Sequence, residues 1–491
     1  MQYLLALDQG TSSSRSILFD RQGQIIHSAQ IEFTQHYPQA AWVEHNPMEI
    51  WQSQKQTIEQ VLRESHIDVK DIAALGITNQ RETCIVWNRQ TGEPIYPAIV
   101  WQDRRTAEFC QTLREQGHTD FIRQTTGLVI DPYFSASKLR WILNHVPNAR
   151  QQAERGELAF GTVDTWLAYQ LSGKQLHVSD VSNASRTMLW NIHRNTWDAD
   201  LLALFDIPAS LLPTVHPSSY VYGECTLFGH AIPIASMVGD QQAALFGQAC
   251  FEPGMAKNTY GTGCFMLAHT GTHCPTSAHG LISTAAAQLD STPEYALEGS
   301  VFIGGAVVQW LRDKLHIIQH SSDVEALAAS VPDSDGVIFV PAFAGLGAPY
   351  WQPDAKAAIF GLHRGSTDAH IARAAVEAIA FQSAELLFAM QNDYQHPIHE
   401  LRVDGGAARN NALLQFQADL LGIPIVRPRI TETTALGAAY LAGLSSGIFS
   451  SPQECQALWQ EERRFLPQCN REHAQIRLVA WKKAIQNLHT V

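Results

Sequence analysis

Asp8, Gly10, Thr11, Ser12, Ser13 and Arg15 crowd one short run, between the apolar stretches Leu4-Leu5-Ala6-Leu7 and Ile17-Leu18-Phe19. The pattern predicts a strand, a tight turn and a returning strand. Gly10 lets backbone N–H groups close around an anion, and the hydroxyls add donors. Asp8 at the mouth suits a divalent cation, because hard Mg²⁺ prefers oxygen and often reaches carboxylates through water. A phosphate turn with a built-in metal carboxylate predicts a nucleotide site. The plain alternative is a hairpin with solvated serines, in which Asp8 makes a local Asx bond.

Three further stretches carry candidate chemistry. Gly261-Thr262-Gly263 is a second Gly-Thr turn, in the second half of the chain. A nucleotide clamped between two lobes needs such a pair. Gly405 and Gly406 form a third glycine turn before a helix, where backbone can approach a flat or anionic ligand, and Asn410, one turn into that helix, could bond a base or ribose. Asp240 ends an apolar strand, where ligand sites concentrate. A carboxylate there can take a proton from a hydroxyl nucleophile, although Asp is also a preferred helix N-cap. Arg81 and Glu82 pair a fixed donor fork with an acceptor, which suits a polyol. Trp101 and Tyr133 could flank its carbon chain, although isolated aromatics more often belong to the core.

The elements that must position these residues fall in two halves. Strand-like runs cover 3–8, 15–20, 72–77, 84–87 and 95–100, and helical periodicity covers 47–64, 103–116 and 136–145. A strand-to-helix step falls at 232–246. The chain restarts after Phe251-Glu252-Pro253-Gly254 with strand 256–260, the Gly-Thr turn and strand 264–267. Helices follow at about 304–315, 368–391, 409–421 and 434–446. Alternating β and α elements in both halves predict two α/β domains.

Composition narrows the function. The 491 residues are 45% hydrophobic and 16% charged, an ordinary globular balance. A net charge of −13 disfavours nucleic acid and anionic membranes as partners. The 8 cysteines show no C-x-x-C or zinc spacing. The amino terminus lacks a basic n-region, and no run approaches the roughly 20 apolar residues of a membrane span. A cytoplasmic, reduced protein is expected. There is no P-loop, G-x-G-x-x-G or G-x-S-x-G. Ser135-Ala136-Ser137-Lys138 fits S-x-x-K, but neither S-D-N nor K-T-G accompanies it. His316 and His320 lack the Glu of H-E-x-x-H.

Taken together, these runs resemble the FGGY carbohydrate kinases along nearly the whole chain. Among the matching segments are LDQGTSSSR (7–15), GITNQRET (76–83), TGLVIDPYFSASKLRW (126–141), GDQQAALFGQ (239–248), KNTYGTGCFML (257–267) and LRVDGGAARNN (401–411). The GITNQRET run is similar to the members that act on glycerol rather than on pentuloses. The resemblance implies an α/β, two-lobed, actin-like and ribonuclease-H-like fold with the site in the interdomain cleft. It implies domains at 1–247 and 248–491, ATP and Mg²⁺ as cofactors, phosphorylation of glycerol, and a dimer or tetramer.

Position by position, the resemblance implies polyol contacts from Arg81, Glu82, Tyr133, Asp240 and Gln241, with Trp101 and Phe265 as apolar walls. It implies phosphate contacts from Thr11, Ser12, Ser13 and Arg15, and other nucleotide contacts from Thr262, Gly305, Gln309, Gly406 and Asn410. Asp8 and Asp240 become the metal-side carboxylates, and Asp240 the base. Rival readings are a kinase of another small polyol or ketose, and a non-catalytic actin- or Hsp70-like nucleotide switch. In part of the family a Gly-Lys-Gly-Gly-Thr-Arg-like loop binds fructose 1,6-bisphosphate. The corresponding residues 222–231 contain no Arg or Lys, so weak or absent inhibition by that sugar is expected. Residues 467–473 also depart from the family's phosphotransferase-inhibitor site.

Overall fold

Leu4, Leu5, Ala6 and Leu7 are all buried, as a central strand covered on both faces requires. They lie in the strand Tyr3–Gln9, which pairs antiparallel with Ser13–Phe19 and parallel with Ile72–Asn79. The computed structural model, which describes residues 2–352 and 354–488, extends this core into a six-stranded sheet. Its spatial order is Ser219–Cys225, Ile232–Gly239, Ile72–Asn79, Tyr3–Gln9, Ser13–Phe19 and Ile25–Glu32.

A second sheet has seven strands, in the order Ile282–Ala285, Tyr295–Val301, Cys264–Gly271, Ala256–Tyr260, Leu401–Asp404, Ile425–Pro428 and Glu461–Phe465. In each sheet the opening strand pairs antiparallel with its hairpin partner, which pairs antiparallel with a third strand. On its other side the opening strand gains parallel neighbours. The same connectivity therefore occurs twice, as two α/β lobes.

Helices Pro47–Ser65 and Val163–Leu171 cover one face of the first sheet. Its other face is covered by Thr433–Ser445, a helix from the second half of the chain. Helix Asp240–Gly247 lies beside Thr433–Ser445 and packs against strands of both sheets. The two helices cross at glycines: a Cβ on Gly437 would collide with Ala243 O and come within 3.0 Å of Gly247 N. The 27-residue helix Asp368–Tyr394 forms the spine of the second lobe.

Residues between Asn79 and Ser219 add a subdomain with its own core around helix Ser135–His145. Two expectations need correction here. The run 95–100 forms only the short strand Ala98–Ile99, and the helix expected from 103 begins at Ala107. Asp103 instead accepts from Val43 N at 2.7 Å and Arg105 N at 2.9 Å, which pins the segment outside a helix. Among the described residues no helix is long and apolar enough to cross a membrane.

Candidate active site

The amino-terminal hairpin closes through Gly10 N to Ser13 O at 2.9 Å. Thr11 Oγ1 accepts from Trp101 Nε1 at 2.9 Å, which leaves its own O–H free to donate. The Trp101 ring lies 5.6 Å from Tyr133 and 6.4 Å from Phe265, centroid to centroid. Phe265 belongs to the strand that leaves the second Gly-Thr turn. One tryptophan thus joins the two hairpins across the lobes and forms an aromatic box with Tyr133 and Phe265. Ser12 is exposed, and Ser13 Oγ accepts from Gln30 at 2.9 Å. Arg15 pairs with Glu432, the residue before the roofing helix.

The second lobe gathers three glycine turns. Gly261 N donates to Gly263 O at 2.9 Å, while Gly305 N donates to Gly261 O and Gly304 N to Thr262 O, both at 2.8 Å. Gly405 has φ +85°, and a Cβ there would lie 2.6 Å from Tyr260 O, so only glycine fits. Gly406 faces open space. Thr262, Gln309 and Gly406 are exposed. Asn410 corrects one expectation: it is the N-cap of helix Asn411–Leu421 rather than a turn inside it. Its Oδ1 accepts from Leu413 N at 2.9 Å.

Asp240 is the first residue of its helix and Gly239 is the N-cap, so Asp240 does not occupy the capping position. Its Oδ1 lies 3.2 Å from Arg81 Nε and accepts from Gln241 N at 2.8 Å, with 31% of the side chain exposed. Burial raises the Asp240 carboxyl pKa, against the pull of Arg81 and Lys257. Arg81 donates to both oxygens of Glu298, at 2.6 and 2.9 Å, and to Gln242 Oε1 at 3.1 Å. Glu82 sits at φ +61° and accepts from Arg186 Nε at 2.6 Å. Gln241 Oε1 accepts from Lys257 Nζ, which also donates to Thr259 Oγ1 at 2.8 Å. Burial pushes Lys257 down to about 8, against the charges of Asp404 and Asp240.

Sequence reasoning misses Glu298, Arg186, Lys257 and Gln242. The one local signal for Glu298, Arg186 and Lys257 is charge inside otherwise buried runs, and Gln242 carries none: all seven residues of strand Tyr295–Val301, Glu298 included, are buried.

Among the described residues no three His, Cys, Asp or Glu side chains converge as a metal cage. Asp8 lies on the strand that enters the amino-terminal hairpin. Burial pushes its carboxyl up to about 6, Arg15 opposes, and the charges of Glu432 and Asp240 push further. Two carboxylates that repel each other at a half-buried mouth suit a Mg²⁺ ion held mainly through water and phosphate oxygens.

Two family models match the chain. The N-terminal domain of the FGGY family of carbohydrate kinases covers residues 3–247, and the C-terminal domain covers 256–446. Over 487 residues the chain is 63% identical to a glycerol kinase of Ralstonia nicotianae, covering 99% of this chain and 98% of that one. It is 62% identical to a glycerol kinase of Ralstonia pickettii over the same shares. The fold superposes on the crystal structure of Plasmodium falciparum glycerol kinase with ADP with a TM-score of 0.93 and 35% identity, covering 99% of this chain and 98% of that chain. A ligand-bound xylulose kinase of Lactobacillus acidophilus shares the fold at TM-score 0.90 and 22% identity, covering 100% of this chain and 99% of that chain.

Proposed function

The chain belongs to the FGGY family of carbohydrate kinases, and we propose that it transfers the γ-phosphoryl group of ATP to glycerol, giving ADP and sn-glycerol 3-phosphate. The observation that carries this reading is Asp240, partly exposed and 3.2 Å from Arg81, which Glu298 links to Arg186, 5.5 Å from the Tyr133 ring of the aromatic box. Glycerol kinases 61–63% identical over nearly the whole chain support the choice of acceptor.

Phosphoryl transfer passes through a loose transition state, so positioning and charge neutralisation supply most of the catalysis. The aromatic box holds the carbon chain of glycerol, while Glu82 and the remaining Arg81 donor orient its hydroxyls. Gln241 completes the acceptor contacts. Asp240 aligns the attacking hydroxyl and accepts its proton late. Thr11, Ser12, Ser13 and Arg15 contact the phosphates from one lobe and Thr262 from the other. Gly305, Gln309, Gly406 and Asn410 line the nucleotide side. Asp8 and Asp240 would hold Mg²⁺, which neutralises phosphate charge. Fixing a mobile triol beside the phosphate converts a bimolecular encounter into a near-attack geometry, and lobe closure keeps water from competing as acceptor.

The enzyme is proposed to be a cytoplasmic homo-oligomer divided at 247/248, with weak or absent inhibition by fructose 1,6-bisphosphate. A coupled ADP-release assay across glycerol, dihydroxyacetone, erythritol and xylulose tests the reading. Glycerol should give the highest kcat/KM; a higher value for another acceptor, or ATP hydrolysis without a phosphorylated product, would overturn it.

A further inference from the structure

Ser135, Ser137 and Lys138 lie in the first turn of helix Ser135–His145, and all three are at most 1% exposed. Their S-x-x-K spacing has no role in the phosphoryl-transfer mechanism. In the fold each side chain turns back toward the acceptor pocket. Ser135 Oγ donates to Glu82 O at 2.9 Å. Ser137 Oγ lies 2.8 Å from Thr106 Oγ1, which ties down the segment that follows Trp101. Lys138 Nζ donates to three consecutive carbonyls, Pro132 O and Tyr133 O at 2.6 Å and Phe134 O at 2.9 Å.

An ammonium in an apolar interior is expensive unless its donors are satisfied. Here all three are, and the turn 132–134 is wrapped around them. Tyr133 sits on that turn, with its ring against Trp101 and the Arg186 guanidinium 5.5 Å from its centre. Glu82 holds φ +61°, a conformation that non-glycine residues seldom keep without outside support. The bond from Ser135 to its carbonyl supplies that support.

We propose that this helix turn is the template of the acceptor pocket, with Lys138 the positioning residue for Tyr133 and Ser135 the positioning residue for Glu82. The proposal rests on the reading of this pocket as the glycerol site. Burial pushes the Lys138 ammonium down to about 8, against the opposing pull of Cys84, Glu82, Asp103 and Cys110, which face it from neighbouring elements. Above that pH the side chain keeps two donors for three carbonyls, so the Tyr133 turn loosens.

The test uses full-length Lys138→Met and Ser135→Ala, with steady-state kinetics and hydrogen exchange read by mass spectrometry. Lys138→Met should raise the KM for glycerol about tenfold and leave the KM for ATP within about twofold. Exchange should quicken about tenfold in peptides covering 130–134 in Lys138→Met, and in those covering 80–84 in Ser135→Ala. The parent's glycerol KM should climb above pH 8 more steeply than that of Lys138→Met, which keeps only the contribution of Lys257 on Gln241. If Lys138→Met does not fold, Ser135→Ala decides. Unchanged exchange together with an unchanged glycerol KM overturns the template. A parent that leaves glycerol unphosphorylated sinks the acceptor assignment instead, and exchange alone then decides the template.

Discussion

Glu298 of the second lobe grips Arg81 of the first with both carboxylate oxygens, at 2.6 and 2.9 Å. The same carboxylate accepts from Arg186 at 3.1 Å. Burial opposes ionisation of Glu298, yet Arg186 and Arg81 outweigh it and hold the carboxyl down to about 2. Because Arg81 also contacts Asp240, the proposed base lies at the end of an ionic chain that spans the cleft.

Glu298→Gln should leave two buried guanidiniums with only Glu82 and Asp240 as carboxylate partners. Breaking a buried pair from one side costs about 3–5 kcal/mol, and the misplaced Arg81 should raise the KM for glycerol more than that for ATP. Denaturant melts and the two KM values check this; a variant as stable as its parent contradicts the account.

Asp240→Asn keeps the shape of the side chain and removes the proton acceptor. Glycerol affinity, read by calorimetry with ADP present, should stay near the parent value. kcat should fall about 10²–10⁴-fold, the usual contribution of a positioned base. Near-normal kcat would refute the assignment.

Gly437→Ala and Gly406→Ala form a matched pair. The first places a methyl into Ala243 O, and overpacking of this kind costs about 1–3 kcal/mol. Its Tm should drop, and kcat with it, as the crossing of Asp240–Gly247 with Thr433–Ser445 is pushed apart. The second adds a methyl where nothing lies within 4 Å. Its Tm should hold while the KM for ATP rises. Equal Tm losses in both would contradict this contrast.

Asp164 gives a signed pH dependence away from the site. Burial, with Asp180 nearby, pushes its carboxyl up from 3.8 to about 7, and it accepts from Ser179 Oγ at 2.6 Å. The folded chain therefore keeps a proton that the unfolded chain releases at the ordinary carboxylate pKa. That stabilisation is complete below the unfolded value and is lost as pH rises through about 7. Asp164→Asn stays neutral throughout. Its stability relative to the parent should improve from pH 5 to pH 8, by at most about 3 kcal/mol. A difference independent of pH between variant and parent contradicts the prediction.

The turns and the strand–helix step at Asp240 were legible because their signals are local: glycines and hydroxyls between apolar runs, an acid at a strand end. Helix Thr433–Ser445 was legible as a helix, but its uniformly apolar surface does not say which sheet it covers. Tyr133 and Trp101 were ambiguous between core and pocket, and only their half-burial against Phe265 decides between the two. Glu298 was invisible as a site residue, because its partners Arg186 and Arg81 lie 112 and 217 positions away. Lys138 was noticed for the wrong reason. Its S-x-x-K spacing lacks the companion motifs of a serine acyl enzyme, and its chemistry is a three-carbonyl clamp.

The roof over the first sheet has a consequence for synthesis. Leu4, Ala6, Phe19 and Val238 are covered by Ala435, Leu436 and Ala439, which leave the ribosome long after every strand of that sheet. Until then the nascent chain carries an uncovered greasy face. A premature stop codon anywhere before Thr433 would therefore cripple both lobes rather than trim one.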